Sequence, residues 1–108
     1  MAMRVALAAD HGGFVLKTGL LPWLESQNYE ILDLGADVFD SSDDYPDYAE
    51  DVAEAIISGQ AERGILICGS GVGASFTANK VTGVRSALIH ESYYANQGVE
   101  DDDMNLLC

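Results

Sequence analysis

A cysteine followed by three closely spaced glycines is the part of this sequence best suited to chemistry. Cys68 comes after the apolar residues 65–67 and precedes Gly69, Gly71 and Gly73. A deprotonated thiol can act as a base or a nucleophile, and a helix N-terminus favours that form. Glycine backbone can approach an anion closely, with its amides free to donate. The stretch predicts a reactive thiol beside an oxyanion or phosphate site, although such a cysteine is as often a small buried hydrophobic residue.

Polar residues also follow two other apolar segments of the sequence. Asp10 and His11 come directly after the first segment, and His90 and Glu91 come after the fourth. If these segments are parallel strands, their carboxyl ends share the edge of the sheet where ligands bind. An imidazole placed there can donate a proton or bind a phosphate, although His11 could equally cap a loop.

The elements that must position these residues alternate between strand and helix. Apolar segments predict strands over 3–9, 29–34, 64–68, 84–89 and 105–108. Helical spacing predicts a first helix over 14–26, which Pro22 should kink or divide. It predicts a second helix that starts from an N-cap at Asp47 and ends at Gly59, and a third over about 74–80. Residues 91–97 are weakly helical, and 98–103 predict an acidic loop. The alternation predicts one α/β domain over 1–108, with a three-layer parallel sheet flanked by helices.

The charge balance limits the classes of partner. The formal net charge of −13 rests on only five Lys and Arg residues, too few to neutralise nucleic acid phosphates. We expect no membrane span and no signal peptide, because no apolar run approaches about 20 residues, and therefore expect a cytoplasmic protein. Cys68 and Cys108 lack the spacing of a disulfide framework or a zinc site. We expect two free thiols, no metal and no cofactor.

The glycines also allow a second interpretation. Gly69, Gly71 and Ala74 fit a loose dinucleotide-binding fingerprint, and Glu91 lies near the distance at which an acid would hold a ribose hydroxyl. The alternative function is therefore a non-catalytic module that binds a nucleotide or a phosphometabolite through residues 69–73. Saturable nucleotide binding without turnover would distinguish it from an enzyme.

Four motifs together resemble a known family. They are Ala-Asp-His-Gly-Gly-Phe at 9–14, Asp-Tyr-Pro-Asp-Tyr-Ala at 44–49, Gly-Ile-Leu-Ile-Cys-Gly-Ser-Gly-Val-Gly at 64–73 and Ala-Asn-Lys-Val-x-Gly-Val-Arg at 78–85. Their order and spacing resemble the type B ribose-5-phosphate isomerases and the related galactose-6-phosphate isomerases. The resemblance implies a Rossmann-like sheet and a homodimer or tetramer with its site at the subunit interface. It also implies metal-free aldose–ketose isomerisation of a sugar phosphate through an enediolate.

The resemblance also implies roles for individual residues. Cys68 matches the general base, because Ala74 stands where some relatives carry a glutamate base. Family members have a loop that stabilises the enediolate oxygen. In this chain that loop is matched by Ser70 and by the backbone amides of Gly69, Gly71, Val72 and Gly73. Sugar contacts match Asp10 and Tyr45, a phosphate contact matches His11, and Asn79 of the fourth motif is assigned to substrate binding.

Two departures from the family pattern carry further expectations. Asp101 stands where the family has the histidine that helps to open the sugar ring. It either replaces that histidine, with a raised pKa, or indicates a short substrate such as a tetrose phosphate, for example erythrulose phosphate. The chain stops at Cys108, whereas family members continue through the fifth strand, phosphate-binding arginines and a C-terminal helix. We therefore expect the fifth strand to be cut short and that C-terminal segment to be missing from this sequence.

Overall fold

A five-stranded parallel sheet forms the centre of the chain in the computed structural model, which describes residues 2–108. The strands are β1 (Arg4–Ala9), β2 (Glu30–Asp33), β3 (Arg63–Ile67), β4 (Ser86–Ala87) and β5 (Leu106–Leu107). They lie in the order β2-β1-β3-β5-β4, and every neighbouring pair is parallel. The predicted α/β fold with a parallel sheet is therefore confirmed.

Four helices connect the strands and cover the sheet. They are α1 (Phe14–Ser26), α2 (Tyr45–Ile57), α3 (Val72–Asn79) and α4 (Ser92–Asp102). Helices α2 and α3 pack on the face that carries Ala6, Ala8 and Leu66, and together they form the main hydrophobic core. Because side chains alternate along a strand, Leu7 faces the opposite side, which α1 covers in part. The result is the predicted three-layer arrangement.

Small residues bring α2 very close to β3. Ala49 and Ala53 of α2 are fully buried, as is Val52 between them. A Cβ atom at Gly64 of β3 would lie 2.7 Å from Val52 and 2.9 Å from Leu106, which is closer than real side-chain carbons pack. A glycine at this position is therefore what allows the helix, β3 and β5 to meet.

The first two helices each differ from the prediction in one detail. Pro22 does not divide α1, which runs without interruption to Ser26. Because Pro22 is exposed, water can reach the carbonyl that its missing N–H leaves unpaired. Helix α2 begins at Tyr45 with Asp44 as N-cap, so Asp47 lies inside the first turn and does not cap the helix. Its negative charge there still complements the positive end of the helix dipole.

The second half of the chain departs from the predicted boundaries at three elements. Helix α3 starts at Val72, two residues before the predicted position, and β4 is reduced to two residues. The predicted acidic loop over 98–103 is wrong, because α4 continues to Asp102. Gly98 stays helical since its carbonyl accepts the Met104 N–H at 3.0 Å and the Met104 side chain packs against it.

Candidate active site

The loop after β1 lies directly against the loop after β3. We call residues 10–13 the β1 loop and residues 69–73 the glycine loop. A Cβ atom at Gly12 would lie 2.9 Å from the backbone nitrogen of Gly69, so only a glycine lets the two loops touch. The Asp10 N–H also donates to the Ile67 carbonyl at 3.2 Å. The structure thus brings together two of the strand ends that the sequence predicts to share an edge.

Cys68 follows the last residue of β3, immediately before the glycine loop. Its Sγ accepts a hydrogen bond from the Gly71 N–H at 3.1 Å, and the side chain is half-buried. Gly71 can reach that position because it adopts a φ of +83°, which favours glycine. Ser70 is exposed, and its Oγ accepts the Val72 N–H at 3.3 Å at the start of α3. The thiol is therefore oriented by the same loop that opens a helix.

Tyr45 reaches the glycine loop from α2. A Cβ atom at Gly73 would overlap the Tyr45 ring and lie 2.5 Å from its hydroxyl oxygen. The absence of a side chain at Gly73 therefore creates the space that the phenol occupies. Tyr45, half-buried at the first position of α2, is held beside the first turn of α3.

His11 and Asp43 form a hydrogen-bonded pair at the rim of the β1 loop. Oδ1 of Asp43 accepts the His11 backbone N–H at 2.9 Å and lies 2.8 Å from His11 Nδ1. Oδ2 of Asp43 accepts the Tyr48 hydroxyl at 3.2 Å. The Asp43 side chain is 10% exposed and that of His11 is 39% exposed. The carboxylate thus has three donors, and the imidazole keeps one edge open to solvent.

The charges of this pair shift the pKa of each partner. The hydrogen bond to Asp43 is the main cause that raises the pKa of His11 above 6.5, and the nearby Asp10 carboxylate adds to it against partial burial. Burial acts to raise the pKa of Asp43, but the hydrogen bonds from His11 and Tyr48 outweigh it and lower that pKa below 3.8. Burial, followed by Asp43, raises the pKa of Tyr48. Tyr48 therefore stays a hydrogen-bond donor at neutral pH.

Asp10 is buried beside this pair. It is 6% exposed, and its Oδ1 accepts the Gly12 N–H at 2.8 Å. The ligand atoms of Asp10, His11 and Asp43 all lie within 4.8 Å of one another. Because Oδ1 of Asp43 is bonded to His11 and Oδ1 of Asp10 to the Gly12 N–H, we interpret them as a hydrogen-bonded pair with a separately bonded carboxylate beside it, and not as metal ligands. The sequence prediction assigned no metal to this chain.

A cavity of about 320 Å³ opens beside the thiol. Cys68, Ser70 and His90 line it together with the apolar side chains of Leu16 and Leu20 on α1. His90, which follows the fourth predicted strand, therefore shares an edge with Cys68, as the sequence predicts. Glu91 starts α4 as its N-cap and is exposed.

The second thiol, Cys108, lies in a largely apolar environment. Cys108 directly follows β5 and packs against the hydrophobic core. Burial, with a smaller effect from the neighbouring Cys68, raises the pKa of Cys108 to about 12. Cys108 therefore stays a neutral thiol at physiological pH.

Two predicted site residues lie away from these loops. Asn79 is at the last position of α3, where its amide donates to the Ser86 carbonyl at 2.9 Å and accepts the Ser86 N–H at 2.8 Å. It thereby ties α3 to β4. Asp101 is exposed on the last turn of α4. The structure assembles Asp10, His11, Tyr45 and Cys68, and it places Asn79 and Asp101 elsewhere in the chain.

The sequence analysis missed the roles of Asp43 and Tyr48. Asp43 lies in an acidic stretch with Asp40 and Asp44, and nothing in the spacing singles it out. Tyr48 belongs to the motif at 44–49, in which only Tyr45 was assigned a role. Only the folding of the 36–44 loop over the β1 loop pairs Asp43 with His11.

Comparisons with known proteins agree with this fold. A profile of the family described as Ribose/Galactose Isomerase matches residues 5–108. Ribose-5-phosphate isomerase B of Clostridium thermocellum superposes with a TM-score of 0.93 at 44% identity, covering 97% of this chain and 70% of that protein. The Mycoplasma genitalium ribose-5-phosphate isomerase B, with bound ribulose-5-phosphate, gives a TM-score of 0.92 at 39% identity, covering 100% and 72%. D-erythrulose-4-phosphate isomerase 2 of Mycolicibacterium smegmatis is 34% identical over 110 residues, which cover 100% of this chain and 72% of that protein.

Proposed function

Because this chain belongs to the ribose/galactose isomerase family, we propose that it interconverts the aldose and ketose forms of a sugar phosphate. The observation that carries the proposal is the contact between the β1 loop and the glycine loop at Cys68. It gathers a thiol, a buried carboxylate and an imidazole at one sheet edge. A homologue with this fold is the Mycoplasma genitalium enzyme that holds ribulose-5-phosphate.

We assign the general base to Cys68. In the aldose-to-ketose direction its thiolate removes the proton from C2, and the electron pair moves through C1 to the carbonyl oxygen to give an enediolate. The thiol then returns the proton to C1, while the hydroxyl proton passes from O2 to O1. The oxidation of C2 balances the reduction of C1, so atoms and electrons are conserved within the sugar.

The glycine loop is suited to the charge that develops on the oxygen. The first amides of a helix have no acceptor within the helix, and the dipole favours a negative charge near them. The start of α3 at Val72 puts these amides close to Cys68. Donors fixed in place before the reaction stabilise an oxyanion without reorganising. We assign this role to Ser70 and the amides of residues 69–73.

The remaining residues provide contacts for the substrate. We assign Asp10 and Tyr45 to sugar hydroxyls and His11 to the phosphate. Asp10 can accept from a hydroxyl through the oxygen that Gly12 does not occupy. His11 brings a positive charge to a chain whose formal net charge is −13. Asn79 and Asp101 remain predictions for substrate binding and catalysis, respectively.

The length of the sugar is the variable part of the proposal. Asp101 stands where the family resemblance implies a ring-opening histidine, and it is an exposed carboxylate. In a tetrose 4-phosphate the C4 oxygen carries the phosphate and cannot close a five-membered ring, so such a substrate needs no ring-opening acid. The Mycolicibacterium smegmatis relative is named for such a substrate. We therefore propose tetrose and pentose phosphates as the substrate class.

We further propose that the active form is a homodimer or tetramer with the site at the subunit interface. We place its activity in the cytoplasm, on carbohydrate intermediates of the pentose phosphate pathway. Large apolar side chains that are exposed in the isolated chain support an assembly. Among residues 2–108, no helix is long and apolar enough to cross a membrane.

A coupled assay over tetrose, pentose and hexose phosphates tests the proposal, with Cys68→Ala and Cys108→Ala as a matched pair. Removing a general base costs about 10²–10⁴-fold in kcat, so Cys68→Ala should lose that much activity. Cys108→Ala should keep kcat within about twofold, because a thiol with a pKa of about 12 carries little thiolate at pH 7.5.

Full activity in Cys68→Ala would reject the thiol as base. Absence of turnover by the wild-type chain, together with a saturable rise of its melting temperature on adding a nucleotide, would favour the alternative binding module. Circular dichroism of both cysteine variants checks that the fold is retained.

A further inference from the structure

Asp43 has the geometry of a residue that acts through His11. We propose that Asp43 is a positioning residue that keeps His11 protonated and turns its Nε2–H outwards to bind the phosphate of the substrate. The inference rests on the proposed function for the identity of the ligand. It adds a residue that neither the sequence motifs nor the family resemblance pointed to.

The hydrogen bonds define how the ring is held. Oδ1 of Asp43 binds both the His11 backbone N–H and Nδ1, so the backbone and the ring are fixed by one atom. The rings of Phe39 and His11 are nearly perpendicular, with centroids 6.2 Å apart. Nε2 then lies on the opposite edge of a ring whose side chain is 39% exposed. Of the two ring nitrogens, Nδ1 is taken by Asp43, so Nε2 is the one left to donate to an anion.

The groups around His11 favour the protonated ring. Asp43 and Asp10 raise its pKa, and no cation is among the causes acting on it. Tyr48 donates to the other oxygen of Asp43 and so keeps that carboxylate ionised. The pair thus extends the protonated form of His11 to a higher pH than in an isolated imidazole, toward the range in which a phosphate ester is a dianion.

Two physical effects of Asp43 on phosphate binding have opposite signs. As a negative charge near the anion, it repels the phosphate. As the hydrogen-bond partner of Nδ1, Asp43 maintains the positively charged imidazolium, which attracts the phosphate. We expect the second effect to dominate, because the hydrogen bond is direct and the charge on Asp43 is neutralised within the pair. The Asp43→Asn variant decides between them, since asparagine keeps an acceptor oxygen and removes the charge.

The matched control is Asp40→Asn. Asp40 is on the same exposed loop, and its removal changes the net charge by the same amount, but its carboxylate binds Ser42 and not His11. The measurements are the pH titration of the His11 C2–H proton by NMR, KM and kcat for ribose 5-phosphate and erythrulose 4-phosphate, and the NMR shift of His11 on adding inorganic phosphate. A His90→Gln background leaves a single imidazole to follow.

In the wild type, KM should rise with pH in step with the titration of His11. In Asp43→Asn the pKa of His11 should fall toward 6.5, where about one ring in ten is protonated at pH 7.5. KM and the dissociation constant for inorganic phosphate should then rise up to about tenfold at pH 7.5 and less than about twofold at pH 6, with kcat nearly unchanged. Asp40→Asn should follow the wild type at both pH values.

Several results would overturn the proposal. They are an unchanged His11 titration in Asp43→Asn, a KM equal to that of Asp40→Asn, or tighter phosphate binding in Asp43→Asn. Tyr48→Phe keeps the charge of Asp43, so a KM increase as large as that of Asp43→Asn would mean that loop structure alone is responsible.

If the wild type turns over no sugar phosphate, the proposed function fails, while a phosphate-dependent shift of His11 would still support the role of Asp43. If inorganic phosphate does not shift the His11 signal of the wild type, the role proposed for Asp43 is rejected.

Discussion

At the scale of single residues, the His11–Asp43 pair makes the stability of the fold depend on pH. The pKa of His11 is raised from 6.5, so its contribution is complete below 6.5 and disappears as pH rises through the raised value. The pKa of Asp43 is lowered from 3.8, so its contribution is complete above 3.8 and disappears as pH falls through the lowered value. The pair therefore stabilises the chain most between about pH 4 and 6.5.

We expect the difference in melting temperature between the wild type and Asp43→Asn to be largest in that window and to shrink on both sides of it. Thermal unfolding followed by circular dichroism from pH 3 to pH 9 measures the difference. A difference that stays constant across this range would mean that the side chains contribute through shape and not through charge.

The residues that the sequence could predict are those whose neighbours along the chain carry the signal. Cys68 and Asp10 each follow an apolar strand segment, and parallel strands bring such ends together. The pairing of His11 with Asp43 spans 32 residues, and the packing of Tyr45 on Gly73 joins two helices. No local pattern encodes contacts of that separation, so the structure was needed to find them.

At the scale of elements, a buried lysine joins α1 to the segment after β2. Lys17 is 4% exposed, and its Nζ lies 2.6 Å from Oδ1 of Asp33 and 3.0 Å from the Ala36 carbonyl oxygen. A buried ammonium is tolerated only when it is paired, and its removal leaves the partner groups without a donor. This contact fixes the start of the 36–44 loop that later supplies Asp43.

We predict that Lys17→Met destabilises the chain by about 1–3 kcal/mol, less than for a fully buried pair because Asp33 is partly exposed. Lys80→Met removes the same charge from an exposed position and should change stability by about 0.5 kcal/mol or less. Urea unfolding of both variants gives the free energies. Equal losses in the two variants would show that net charge, and not the buried contact, determines the result.

Element boundaries show where local patterns stop being informative. The amphipathic spacing of α2 and the apolar run of β3 are read directly from the sequence, because burial imposes their periods. Helix α4 was predicted to end before Gly98, since glycine and a run of acids disfavour the end of a helix. Its extension depends on Met104, which packs on Gly98 from outside the helix.

At the scale of the whole molecule, a strongly acidic chain exposes many apolar side chains. Val15, Leu16 and Trp23 of α1 are 57–80% exposed, and Phe76 of α3 is 69% exposed. The formal net charge is −13, so two copies repel each other over long distances. An apolar interface would have to overcome this repulsion, which salt screens.

We therefore expect sedimentation to give twice or four times the mass of the chain, with association strengthening as salt rises from 50 to 500 mM. Added salt weakens the repulsion and leaves apolar contacts intact. A chain that stays monomeric at high micromolar concentration in 500 mM salt would argue against the assembly. Dissociation by salt would instead indicate an interface made of ion pairs.

The strand order has a consequence for how the chain acquires its structure. Strand β5 follows β4 in the sequence but lies between β3 and β4 in the sheet. During synthesis, β1, β2 and β3 can pair with one another while β4 still has no neighbour to join. Residues 86–87 enter the sheet only after residues 106–107 have left the ribosome. The edge of β3, next to Cys68, therefore stays open until β5 pairs with it.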